Sequence, residues 1–255
     1  MPEAVTVLPW FVAPLAALAA GCALLAPLGH RVLDRGIVFI DLAVAQAAAA
    51  TSLWVGAWLG GHLGVWAWVA SAAGALAGSM FVAWLVRRWP PYREALIGLV
   101  YAAGASLAVL GARLDPHGGE RLAQMLAADV LWADMTQAVA LAVTAALVIA
   151  LKWRLPRVSS GDAFFYMVFA FAVSVAVPVL GLVLVFACLI APALWMRAGW
   201  AWPFVLASAV IVAAAGLALS WMLDWPSGAC VAAGLTIWGL GSAIGRRRQQ
   251  VSTYN

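Results

Sequence analysis

Apolar runs follow one another along almost the whole chain, separated by short stretches that hold most of the charges, prolines and glycines. They lie at residues 7–28, 37–59, 65–86, 95–112, 135–151, 163–177, 180–196, 201–223 and 229–244. A helix that crosses the hydrocarbon core of a bilayer takes about 20 residues. Lipid offers no partner to an unpaired backbone group, so all nine runs are predicted to be helices. The sixth and seventh are short and form one apolar stretch interrupted at Pro178 and Gly181, which predicts a tight turn or a broken helix there. Between the fourth and fifth runs, Leu122, Met125, Leu126 and Val130 recur at three- and four-residue steps. That spacing predicts a short amphipathic helix.

Composition turns this pattern into a class. The 255 residues are 66% hydrophobic and 9% charged, with a mean hydropathy of +1.01. Soluble domains are about 45–50% apolar and about a quarter charged. A water-soluble enzyme is excluded, as are disorder and nucleic-acid reading as primary roles, despite the net charge of +4. The expectation is an all-α, polytopic membrane protein of about nine helices, some short or broken. A single transmembrane domain would occupy residues 1–245, followed by a basic tail at 246–255. The opening Met1-Pro2-Glu3 has no basic residue before the first apolar run, so that run is expected to be retained rather than cleaved.

Charge sets the orientation. With nine spans and the N-terminus outside, twelve of the fourteen Lys and Arg residues fall in cytoplasmic segments and only Arg113 and Arg121 fall outside. Excess basic charge on the cytoplasmic side is the rule for membrane proteins, which places the C-terminus and the 246–255 tail in the cytoplasm. Most of the fifteen tryptophans sit near proposed span ends, Trp238 being mid-span, as the amphipathic indole prefers. Glycine pairs at 56/60, 74/78 and 241/245 have the spacing that lets helices approach closely, which indicates a packed bundle.

Few polar residues enter the spans, and Asp41 is the only acid among them. An intramembrane carboxylate is costly and marks a functional site by default. A structural role competes with this, because Asp41 lies near a helix N-terminus, where negative charge is favoured, and near Arg31 and Arg35. Gln46 lies deeper in the same run. In the outer segment His117 and Glu120 could contact a metal, but a solvated loop is the favoured account of them. Cys22, Cys188 and Cys230 lie in apolar stretches without CxxC spacing, which argues against a zinc site or a disulfide framework. No nucleophile-base arrangement, HExxH or Walker A sequence occurs, so the chain is not expected to be an enzyme. Any ATP hydrolysis would reside on a separate polypeptide.

At this point the sequence resembles the permease subunits of bacterial zinc/manganese-uptake ABC transporters. Four stretches carry the resemblance in collinear order: RGIVFIDLAVAQAAAA at 35–50, EALIGLVYAAGASLAVL at 94–110, PHGGERLAQMLAADVLW at 116–132, and GLVLVFACLIAPALWMR at 181–197 with LDWPSGACVAAG at 223–234. The resemblance implies a permease in the bacterial inner membrane that forms the translocation path by alternating access in a homodimer. It implies two cytoplasmic ATP-binding subunits and an extracytoplasmic metal-binding protein as partners, with zinc or manganese as substrate and no permanently bound cofactor.

The chain departs from the family in two places. Many members carry a His four residues after the Asp of the second span. Here that position is Ala45, and the polar residue is Gln46, one further on. Five steps rotate an ideal helix by about 140° net, so Asp41 and Gln46 cannot readily hold one ion from one straight helix. Second, the family's cytoplasmic link between spans five and six docks on the ATPase, and here only the short segment 153–162 is available. Arg154, Arg157 and Asp162 are the candidate docking residues within it, with residues 87–94 and 31–35 as further candidates. Two other readings remain open at this stage: a self-sufficient solute carrier or channel, and a membrane scaffold that has lost normal ATPase coupling.

Overall fold

The computed structural model describes residues 4–58, 64–126, 129–154 and 161–252. Ten α-helices and two single 3₁₀ turns occur among the described residues, without a strand. The helices are α1 (Ala4–Arg35), α2 (Ile40–Trp58), α3 (Gly64–Arg88), α4 (Arg93–Ala112) and α5 (Gly118–Leu126). They continue with α6 (Met135–Arg154), α7 (Asp162–Leu180), α8 (Leu182–Arg197), α9 (Trp202–Leu223) and α10 (Ser227–Ser252). Among the described residues, six helices are long and apolar enough to cross a membrane: α1, α2, α3, α4, α7 and α9. Shorter apolar helices cover Met135–Leu151, Leu182–Arg197 and Ser227–Ser242. Helix α5 is the amphipathic segment expected between the fourth and fifth runs.

Helix ends follow local chemistry. Helix α1 runs past the expected boundary at residue 28, because Gly29 stays helical and serves as a packing point. It stops where Gly36 takes a left-handed φ of 62°, a conformation that costs glycine nothing. The break anticipated in the 163–196 stretch falls at Gly181, with φ 76°. Pro178 remains inside α7, and Leu180 belongs to α7 rather than to the following helix. Helix α6 opens on a reciprocal cap: the Gln137 N–H donates to Asp134 Oδ1 at 2.8 Å, and the Asp134 N–H donates to Gln137 Oε1 at 3.2 Å. Two of the orphan donors of a helix start are satisfied in this way.

The bundle has two groups of helices joined by α7. Helix α2 packs between α3 and α4, while α1 packs on α6, α8 and α9, and α10 closes against α8 and α9. Helix α7 touches both groups, chiefly through α3 and α1. Of the spanning windows, 67% of α2 is buried, against 33% of α3 and 28% of α4, so α2 is the inner helix of its group. Helix α5 lies across the ends of α2 and α4, setting Leu122 and Met125 against Ala49, Ala50, Leu53, Ala108 and Ala112.

Close approach holds these groups together. A Cβ on Gly29 would lie 1.8 Å from the Leu189 carbonyl oxygen of α8. One on Gly74 would lie 1.9 Å from Thr51 Oγ1 of α2, and one on Gly78 would lie 2.6 Å from Ala47 Cβ. The 74/78 glycine pair therefore packs α3 on α2 within the chain. Thr51 Oγ1 donates to the backbone carbonyls at this crossing, including Ala70 of α3 at 3.0 Å. Trp238, the mid-span indole, stacks on Trp195 with ring centroids 5.5 Å apart, and Trp195 Nε1 donates to the Trp238 carbonyl at 3.0 Å.

Gly29→Ala is expected to destabilise the protein by about 1–3 kcal/mol, since the new methyl collides with backbone and not with a movable side chain. Gly98→Ala, where nothing lies within 4 Å, should instead be neutral or stabilising by up to about 1 kcal/mol. Thermal unfolding of both variants in detergent checks the contrast.

Candidate functional site

Asp41 sits in the first turn of α2, and its side chain is completely buried. Neither carboxylate oxygen meets a side-chain partner among the described residues, and the donors nearest to it are the backbone N–H groups of Asp41 and Leu42 at the start of α2. The nearby cation Arg35 does not neutralise it: Arg35 Nη2 is directed instead to Asp162 Oδ1, 3.3 Å away. A buried carboxylate in that condition is rare, since burial without compensation costs several kcal/mol for the charged form. Its position near the start of a helix gives partial compensation through the helix dipole.

Gln46 is also buried, but on another side of the same helix. Helix α2 is unbroken from Ile40 to Trp58, so five residues separate the two side chains by about 7.5 Å of rise and about 140°. Gln46 faces α4, where a Cβ on Gly104 would lie 3.0 Å from Gln46 Cβ. The two polar residues of α2 are thus not gathered into one ligand set. Among the described residues no group of three or more His, Cys, Asp or Glu side chains could hold a metal ion.

The arginine-rich end of the bundle is organised around the turn between α1 and α2. Arg93 Nη1 donates to the Arg35 carbonyl at 2.6 Å, and Arg197 Nη1 donates to the Leu33 carbonyl at 3.2 Å. The Val38 N–H donates to Glu94 Oε1 at 3.1 Å. Arg35 lays its guanidinium 4.3 Å over the ring of Phe165 while it meets Asp162. Asp162 thus starts α7 as an exposed acid already engaged by α1. Arg154 ends α6 as an exposed residue, and Arg157 lies outside the described residues. An open hollow of about 640 Å³ lies beside this turn, lined in part by Asp34, Arg35, Tyr92, Arg93 and Glu94.

At the opposite end His117 and Glu120 are exposed at the start of α5. The acid that organises this segment is Asp115: it takes the His117 N–H at 3.0 Å and pairs with Arg121. Asp129 bonds Ser227 at the start of α10, and the Leu131 N–H donates to Ser227 Oγ at 3.1 Å. The polar residues here serve turns and helix starts.

Sequence reasoning passed over Arg93 and Glu94 as individual groups, although both stand in stretches it singled out. A charged pair in the first turn of a span, one residue beyond Pro90 and Pro91, was the available signal. The buried thiols of Cys22 and Cys188, 3.6 Å apart between α1 and α8, had no signal in sequence because 166 residues separate them.

Comparison with known proteins adds to this geometry. The sequence pattern of the ABC 3 transport family matches residues 156–245. A search of curated protein sequences finds no match. Among solved structures, a chain of PsaBC from Streptococcus pneumoniae in complex with Fab superposes with a TM-score of 0.71. The superposition covers 91% of this chain and 90% of that chain at 16% identity, a likeness of fold. The chain thus carries the pattern of the ABC 3 transport family over residues 156–245, and over nine-tenths of its length it has the fold of a PsaBC chain, with six helices long and apolar enough to cross a membrane among the described residues.

Proposed function

We propose that the chain is the membrane-spanning permease subunit of an ATP-driven importer for a transition-metal ion, zinc or manganese. It works as a homodimer with cytoplasmic ATP-binding subunits and an extracytoplasmic metal-binding protein. Nine spans, with the N-terminus outside and the C-terminus in the cytoplasm, suit the charge pattern, and the six long and three shorter apolar helices agree with it. Residues 1–245 then form the membrane domain and 246–255 the cytoplasmic tail. On this topology the arginine-rich end faces the cytoplasm, and Arg154, Arg157 and Asp162 are the ATPase-docking residues of the segment 153–162.

Asp41 carries the proposal. A completely buried carboxylate without a side-chain partner, served only by the N–H groups of its own helix start, suits the transient capture of a cation better than a role in packing. No solvent reaches it in this conformation, so an ion arrives only through a rearrangement, which alternating access supplies. One carboxylate holds a divalent ion weakly, and oxygen is a harder donor than imidazole or thiolate. That suits a relay that must release its cargo, with further ligands supplied by the second copy. Gln46 is a secondary contributor on the same helix, and His117 and Glu120 are outer-side contacts for an arriving ion or its carrier.

Asp41→Asn is expected to lower uptake of labelled Zn²⁺ or Mn²⁺ in proteoliposomes by about tenfold or more, the scale of loss seen when metal-site partners are removed. Stability of the variant should stay within about 1 kcal/mol of the parent or rise, since the uncompensated charge is gone. Loss of fold together with loss of transport would assign Asp41 a structural role instead. A second test concerns the docking segment. A cross-linker attached through Arg154→Cys should capture the ATPase subunit in the assembled complex, whereas an assembled complex in which that position stays uncaptured would remove the docking assignment.

A further inference from the structure

The turn that joins α1 to α2 is held in an unusual way. A helix end leaves backbone carbonyls without intrahelical partners, and a helix start leaves N–H groups in the same state. Here three backbone groups of the turn are each met by a charged side chain from another helix, the Leu33 carbonyl in addition to the Gly36 N–H that it takes at 3.3 Å. The Leu33 carbonyl accepts from Arg197 of α8, the Arg35 carbonyl accepts from Arg93 of α4, and the Val38 N–H donates to Glu94 of α4. Phe39 stacks on Phe186 of α8, with centroids 6.4 Å apart and planes within 2°. Gly36, at φ 62°, supplies the bend itself.

Capping alone would account for those contacts. It does not account for the Arg35 side chain, which satisfies no backbone group. It reaches across to Asp162, the first residue of α7, and covers the face of Phe165 one turn further on. Asp162 borders the candidate docking segment, and Asp41 lies three residues beyond Val38 in the first turn of α2. The same short turn is therefore tied at one side to the docking segment and at the other to the buried acid.

We propose that Arg35, through Asp162 on α7 and with Arg93 and Glu94 of α4 bracing the turn, is the positioning residue that transmits ATPase-driven movement of the α7 start to Asp41. This rests on the permease reading above and deepens it by naming the path of coupling. Arg35 touches neither the ion nor the nucleotide. A displacement of the α7 start pulls the guanidinium of Arg35 and with it the end of α1, and the side chains from α4 and α8 keep the α1–α2 turn together as one piece, so that the start of α2 shifts too. The hollow of about 640 Å³ beside the turn leaves space for that shift. An arginine suits the task because its planar head can engage a carboxylate at its edge and an aromatic ring with its face.

The test uses the whole complex in proteoliposomes with its ATPase and metal-binding protein, and reads labelled Zn²⁺, and separately Mn²⁺, taken up per ATP hydrolysed. Loss of assembly lowers uptake and hydrolysis together, so this ratio isolates coupling. Arg35→Gln and Asp162→Asn are expected to lower the ratio by about three- to fivefold, the range a half-exposed charged pair supports. Asp162→Glu, which keeps the charge, should retain most of it. An unchanged ratio in both Arg35→Gln and Asp162→Asn would overturn the coupling role while leaving the permease reading intact. A loss in Asp162→Glu as deep as in Asp162→Asn would also overturn it. If the unaltered chain binds no ATPase, the permease reading fails and takes the coupling role with it.

Discussion

Where α1 crosses α8, a Cβ on Gly29 would stand 1.8 Å from the carbonyl oxygen of Leu189, closer than any side chain allows. Where α3 crosses α2, Gly74 makes an equally tight approach to Thr51. Helices in lipid are not driven together by expulsion of water, because the surrounding tails are as apolar as their own side chains. They associate through the contact that close approach permits. These two crossings set the backbones of the two helix groups, and the buried residues around them fill the space so defined. Thr51 adds an interhelical hydrogen bond at the second crossing, of the kind that is worth about 0.6 kcal/mol on average in membranes. The crossings matter for function because α2, the helix that carries Asp41, is fixed on one side by α3 and on the other by α4, where Gly104 admits Gln46.

Much of this was legible in the sequence, because the solvent is lipid. Each apolar run coincides with a helix, and the amphipathic spacing of Leu122 and Met125 gives α5, which lies on the small-residue surface of α2 and α4. Asp41 stood out as a lone acid in an apolar run. Its isolation from Arg35 could not be read in the same way, because only the folded bundle brings Asp162 to Arg35 across 127 residues. Proximity in sequence pointed to the wrong partner. Helix ends were also less legible. Gly29 looked like a boundary and is a packing contact, whereas Gly36 and Gly181 were breaks because their backbones take positive φ.

The few charges in the described residues are distributed by need. At the end of the bundle that carries α5, Asp115, Asp129 and Asp134 each close a turn or cap a helix, and Arg121 neutralises one of them. At the arginine-rich end, Arg93, Glu94 and Arg197 satisfy backbone groups exposed at the α1–α2 turn. Buried backbone groups must be paired somewhere, and in a bundle so poor in polar side chains the assignments are nearly exhausted by these duties. Asp41 differs from all of them, since it closes no turn and meets no cation.

That difference bears on the proposed transport of an ion. A ligand cage built within one copy would need several buried polar groups, each adding to the cost of folding in lipid. The described chain offers one carboxylate at the end of an inner helix, close to a turn whose backbone is gripped by side chains from α4 and α8. Small displacements at such a junction pass between discrete packed arrangements, because tightly packed helices are bistable rather than continuously deformable. With the acid placed one turn from the junction, a shift of the helix end alters its surroundings directly, without a relay of further polar residues through the bundle. The scarcity of charge inside the spans and the concentration of charge at the α1–α2 turn are then two sides of one arrangement: the holding is done at the helix end, and Asp41 carries no such duty, which is what the proposed capture of a cation requires.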